Sequence, residues 1–181
     1  LYRRRQRQMC IRDSHYSHLL SVQQKKIMKN LTINCNDIQI SNDKQICLIA
    51  GPCQLETEQH ALDMAGKIGE IAKKHNLGFV YKTSFDKANR TSLKGKRGAG
   101  LENSLPIFEK IKKELGVPIL TDVHSSGQCS AVAKHVEIIQ IPAFLCRQTE
   151  LLVSAPKTNK INNVKKVIAL STDKALSLIH I

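Results

Sequence analysis

Residues 117–142 read VPILTDVHSSGQCSAVAKHVEIIQIP, and the order of patterns within them decides the fold. VPILTDV is a short apolar run, the mark of a buried strand. SGQCSAVAKHV (126–136) predicts a helix, and EIIQIP (137–142) is a second apolar run closed by proline. Strand, helix and strand within about 30 residues make a βαβ unit, whose two strands run parallel.

The unit repeats in both directions. Upstream, ICLIAG (46–51) is a strand stopped by Gly-Pro, and residues 57–75 place Ala61, Leu62, Ala65, Ile68, Ile71 and Ala72 at helical spacing. GFVYK (78–82) is the next strand and SLPIFEKIKKEL (104–115) the next helix. Downstream come a helical turn, TELLVSA (149–155), and the strand KINNV (160–164). Ahead of all of these, LTINCNDIQISND (31–43) alternates apolar and polar residues around Asn36-Asp37 and Asn42-Asp43, which predicts a short hairpin. A closed (β/α)8 barrel typically takes about 250 residues. The 181 residues therefore predict a small open α/β sheet or an interrupted barrel.

Composition narrows the function. The net charge of +13 suggests nucleic acid, but it is unevenly spread: residues 1–30 carry +7, residues 157–181 carry +4, and residues 31–156 only +2. A near-neutral body with basic ends is not a basic binding face, and an aromatic content of 4% gives little for base stacking. No apolar run is long enough to span a bilayer. The cysteines, Cys10, Cys35, Cys47, Cys53, Cys129 and Cys146, form no C-x-x-C pair and follow no secretory leader, which predicts free thiols and a cytoplasmic protein. LYRRRQRQMCIRDS and ALSLIHI lack the periodicity of either regular element and resemble translated sequencing-adapter DNA, so residues 1–22 and 167–181 are expected to be non-native or disordered. The competing reading of the ends is a disordered basic arm that touches nucleic acid or acidic lipid.

In either α/β architecture, ligands gather where the parallel strands end. Those ends carry Gly51-Pro52-Cys53, Lys82-Thr83-Ser84, Asp122 and His124, residues 140–147, and Lys165-Lys166. A lone lysine in a loop is ordinarily a solvated surface residue. Cations at several strand ends facing one mouth instead predict a phosphorylated or carboxylated small substrate.

IAGPC (49–53), YKTSFDKANRTS (81–92), TDVH (121–124), IIQIPAFLCRQTELL (138–152) and NVKK (163–166) together closely resemble the 3-deoxy-D-manno-octulosonate 8-phosphate synthase family. The resemblance runs from about Ile46 to Lys166. It implies a (β/α)8 TIM barrel, here truncated to about the first five βα units, with residues 23–45 as an N-terminal extension and β-hairpin and 46–166 as an incomplete barrel. The implied reaction joins phosphoenolpyruvate to D-arabinose 5-phosphate for lipopolysaccharide synthesis.

The roles it implies are residue-specific. Lys82 and Ser84 would hold phosphoenolpyruvate, and Lys87 would stand between it and the sugar aldehyde. Asn89 would contact the sugar hydroxyls, and Arg90 and Thr91 the sugar phosphate, with Thr91 replacing the family's serine. Lys82, Lys87 and Asn89 are the catalytic candidates. Lys165 would bind the phosphate of phosphoenolpyruvate, helped by backbone around Ala143, and Arg147 would reach a neighbouring subunit's sugar phosphate, which implies a homotetramer. Cys53 matches the metal-dependent branch and would ligate Zn, Fe or Mn; read without the family it would be a buried structural cysteine. Asp122 and His124 would support the metal region and Lys82.

Two departures stand out. Ser125-Ser126 follows TDVH where the family has glutamate, and after Lys166 the pattern ceases. The polypeptide alone is therefore expected to be inactive. The related 3-deoxy-D-arabino-heptulosonate 7-phosphate synthases share Gly-Pro-Cys but carry Lys-Pro-Arg-Thr where this chain has Lys87-Ala88-Asn89-Arg90. Cys129 and Cys146 are expected in the core, and His60, His75 and His135 facing solvent.

Overall fold

The computed structural model describes residues 31–87 and 97–165. The hairpin is β1 (Ile33–Cys35) and β2 (Ile38–Ile40), antiparallel with Ile33 opposite Ile40. It turns at Asn36-Asp37, with Asn36 at φ 50, a left-handed conformation that asparagine tolerates better than most residues.

Five parallel strands follow: β3 (Cys47–Ala50), β4 (Gly78–Lys82), β5 (Ile119–Asp122), β6 (Ile138–Ile141) and β7 (Ile161–Val164). Between them run α1 (Glu58–Lys74), α2 (Leu101–Leu115), α3 (Ser126–Ala133) and α4 (Thr149–Ser154). Their spatial order, β3-β4-β5-β6-β7, is the order of the chain. A doubly wound sheet reverses its strand order at a switch point; this one never does. With right-handed crossovers, unreversed order stacks every helix on one face, as in a barrel. That decides between the two architectures left open by the sequence.

The helix side holds the main core. Phe79, Tyr81, Ile119, Ile139 and Ile141 from the strands meet Ala61, Ala65, Phe108, Ile111, Val132 and Leu151 from the helices, all at most 7% exposed. Cys129 and Cys146 lie in this core as expected. Thr57 caps α1, its Oγ1 accepting from the His60 N–H at 3.2 Å. α2 begins three residues ahead of its predicted start, because Gly100 at φ 81 opens it and Pro106 is carried inside the helix rather than in its first turn. α3 ends three residues early, at Ala133.

His60 and His75 are exposed, but His135 corrects the expectation made for it. It is half-buried, with Nδ1 3.1 Å from Glu109 Oε1. Glu109 also meets Lys112 at 3.0 Å, and Lys112 reaches Glu137 at 3.5 Å, whose Oε2 accepts the Ile119 N–H. The network joins α2 to the strand starts.

On the face away from the helices, Cys35 packs with Val80, Leu120 and Ile138, and Ile38, Ile40, Cys47 and Ile161 pack against that group. The hairpin thus covers the N-terminal end of this face. The fit is close: a Cβ on Gly78 would lie 2.7 Å from Ile38 Cγ2. Cys35 is buried there, and burial pushes its thiol pKa up to about 11. Among the described residues, no helix is long and apolar enough to cross a membrane.

Candidate active site

Side chains of a strand alternate between faces, so residues two apart share one. Above the apolar layer of Val80, Leu120, Ile138 and Ile161 stand Lys82, Asp122, Gln140 and Asn163. Two residues further lie Ser84, His124 and Lys165. The face therefore changes from apolar to polar and charged toward the carboxyl ends of the strands.

Of these, Lys82, Asp122, His124, Gln140 and Lys165 line, together with Asp86 and Lys87, a cavity of about 340 Å³ with Ala143 on its wall. A larger cavity of about 530 Å³ lies at the other end of the strands, beside the hairpin turn and α1, and includes none of the candidate substrate-binding, catalytic or metal-ligating residues. Chemistry points to the smaller one.

Lys82 Nζ donates to Ser84 Oγ at 3.1 Å. Burial lowers the Lys82 pKa, as do Lys87 and Lys165, while Asp122 opposes the shift. Lys87 and Lys165 thus bring two further positive charges to bear on Lys82, against the one carboxylate of Asp122. Asp122, 5% exposed, has the opposite balance: burial disfavours its charge, but hydrogen bonds from His124 and Ser84 and the charge of Lys82 outweigh that and hold its carboxyl below the usual range. His124 Nε2 lies 3.3 Å from Asp122 Oδ2, and its ring meets Phe85 edge-on at 5.5 Å. Asp122 Oδ1 and His124 Nδ1 are buried without a protein partner.

Backbone geometry fixes this arrangement. Gly51 is required by close approach, since a Cβ there would lie 2.1 Å from the Lys82 carbonyl oxygen. Thr121 Oγ1 donates to the Thr83 carbonyl at 2.8 Å, and the Lys165 N–H to Ile141 at 3.0 Å. The Ser125 departure is absorbed locally: Gln128 Oε1 accepts the N–H groups of His124 and Ser125 at 2.8 and 3.3 Å, fixing the start of α3. Residues 143–145 form a 3-10 turn directly after Pro142, a feature not read from the sequence.

The structure thus gathers Lys82, Ser84, Lys87, Asp122, His124, Ala143 and Lys165 of the predicted residues. Arg147 is exposed and does not line the cavity, and Asn89, Arg90 and Thr91 lie outside the described residues, as do 1–22 and 167–181. Asp86 and Gln140 line the cavity without having been assigned a role. Position was the available signal for Gln140, two residues after Ile138 on the same strand face.

Cys53 is exposed, which corrects its reading as a buried structural cysteine. Among the described residues, however, no three His, Cys, Asp or Glu side chains are grouped to hold a metal ion.

The model of the DAHP synthetase I family matches residues 20–180. The chain belongs to the DAHP synthetase I family. It is 60% identical over 140 residues to a 2-dehydro-3-deoxyphosphooctonate aldolase from Chelativorans sp. (strain BNC1), covering 77% of this chain and 51% of the relative. It is 54% identical over the same length to the aldolase of that name from Brucella ovis, covering 50% of it. The chain spans about half the length of these relatives.

Proposed function

We propose that this chain carries the anion-binding part of an enzyme that condenses phosphoenolpyruvate with D-arabinose 5-phosphate, giving 3-deoxy-D-manno-octulosonate 8-phosphate and inorganic phosphate for lipopolysaccharide synthesis. The carrying observation is the convergence of Lys82, Lys87 and Lys165 on one cavity beside Ala143. The names of the similar aldolases support the eight-carbon product over the seven-carbon one.

In this reading Lys165 and the backbone at Ala143 hold the phosphate of phosphoenolpyruvate, Lys82 and Ser84 its carboxylate end, and Lys87 the space before the sugar aldehyde. Asn89, Arg90 and Thr91 take the sugar, and exposed Arg147 reaches a neighbouring subunit of a homotetramer. The enol carbon attacks the aldehyde carbon, water adds at the former enol centre, and phosphate leaves with cleavage of its C–O bond. Fixed cations contribute by placing the reactants and neutralising charge. Burial of Lys82 strengthens that effect, because a cation held out of water interacts more strongly with an arriving anion.

Cys53 would supply one thiolate to a divalent Zn, Fe or Mn ion, which could polarise a substrate oxygen; the described residues do not complete such a site. Titration of the 181-residue chain with phosphoenolpyruvate tests the core of the reading. Heat of binding that is lost in Lys82→Ala supports it, and binding unchanged by that substitution overturns it. Adding arabinose 5-phosphate or erythrose 4-phosphate to the loaded chain then tests the sugar, the first being expected to bind more tightly.

A further inference from the structure

Asp86 is, with Asp122, one of two acids lining a cavity that also presents Lys82, Lys87 and Lys165, and Asp122 is occupied with His124 and Lys82. Left free, the Asp86 carboxylate would pair with a lysine there or repel the ligand. It is not free: Arg97 grips it with Nε at 2.8 Å and Nη2 at 2.6 Å, one nitrogen on each oxygen. That two-point contact lowers the Asp86 pKa and raises that of Arg97. The same two segments are joined again by backbone, the Lys87 N–H donating to the Arg97 carbonyl at 2.7 Å.

The residues after Arg97 extend the seam. Gly100 N–H donates to the Phe85 carbonyl and Ala99 N–H to Leu55, both at 3.0 Å, while Leu55 N–H donates to Ser84 at 2.8 Å. Gly98 at φ 114 leaves no room for a side chain, since a Cβ would lie 2.6 Å from the Phe85 oxygen. Residues 85–87 are thus fastened to 97–100, and Lys87 leaves that seam for the cavity.

The geometry points to Arg97 as a positioning residue: by holding Asp86 out of competition and fixing the backbone at Lys87, it keeps the Lys87 ammonium available to the anionic ligand. This rests on the proposed placement of Lys87 beside phosphoenolpyruvate, between it and the sugar aldehyde. An ordinary exposed ion pair would contribute little to stability, and Arg97 is 62% exposed in its side chain. Its removal should leave the chain folded.

The test is a double-mutant cycle on the 181-residue chain, read by titration with phosphoenolpyruvate and by amide hydrogen exchange at Lys87. Arg97→Ala and Asp86→Ala/Arg97→Ala separate the two effects of the clasp. The expected result is about tenfold weaker binding in Arg97→Ala, equivalent to about 1.4 kcal/mol, with faster exchange of the Lys87 amide. Removing Asp86 as well should recover part of the affinity, and Arg97→Ala should cost nothing further in a Lys87→Ala background. If Lys87→Ala weakens binding while Arg97→Ala changes neither affinity nor exchange, the inference fails and the functional reading stands. An equal loss from Arg97→Ala in both backgrounds also overturns it, since Arg97 would then act independently of Lys87. If Lys87→Ala itself binds as well as the parent, the role of Lys87 fails, and the inference with it.

Discussion

Replacing Asp122 with asparagine should destabilise the chain by about 2 kcal/mol at neutral pH. The carboxylate accepts hydrogen bonds from His124 and Ser84 and faces the charge of Lys82 while only 5% exposed. Hydrogen bonds to a charged group are worth about 1.5–3 kcal/mol and neutral ones about 1, so neutralising the acceptor of two such bonds removes roughly 1 kcal/mol from each. Relief from burying a charge offsets part of this, and exposing Lys82 to a cavity without its acid adds to it. The sign of the pH dependence follows from the lowered pKa. Asp122 contributes stability that is fully present above its unfolded value of about 3.9 and disappears as pH falls through its lower folded value. Urea denaturation of parent and Asp122→Asn chains at pH 7 should therefore differ in midpoint by about 1 M, taking a slope of about 2 kcal/mol/M, and the gap should close in acid. Equal midpoints at pH 7, or a gap that persists unchanged to pH 2, would refute the reasoning.

Other perturbations separate packing from chemistry. Phe108→Ala, at a core position with no exposure, should cost about 4 kcal/mol in the same denaturation experiment. Gly51→Ala should cost about 3 kcal/mol or prevent folding, because its Cβ would meet the Lys82 backbone oxygen rather than a movable side chain. Lys165→Ala, at an exposed position, should change stability by less than about 0.5 kcal/mol yet weaken phosphoenolpyruvate binding in a manner that fades as salt is raised. Glu109→Gln should likewise alter stability by less than about 0.5 kcal/mol, since this carboxylate is half-exposed despite its contacts with Lys112 and His135.

Much of this architecture is legible in the sequence because its strands are apolar runs and its helices keep one apolar face. The strand VPILTDV and the helix at 57–75 needed no tertiary information. The start of α2 was harder, since proline is usually found in a first turn and Pro106 is five residues into the helix. The site residues at strand ends followed from their order, as the parallel sheet brings every such end to the same side. Asp86 did not, because its partner Arg97 is eleven residues away, and no periodicity links an acid to a cation across a loop. His135 was misjudged for a similar reason: its acid partner lies on another helix.

The hairpin has a consequence for how the chain is made. Its apolar residues Cys35, Ile38 and Ile40 are among the earlier ones to leave the ribosome, yet they pack with Val80, Leu120 and Ile138. The last of these emerges about a hundred residues later, so at about 5–20 residues per second the hairpin waits several seconds for its seat. During that interval its apolar side is available to other molecules, and a part of the chain made early depends for its burial on strands made much later.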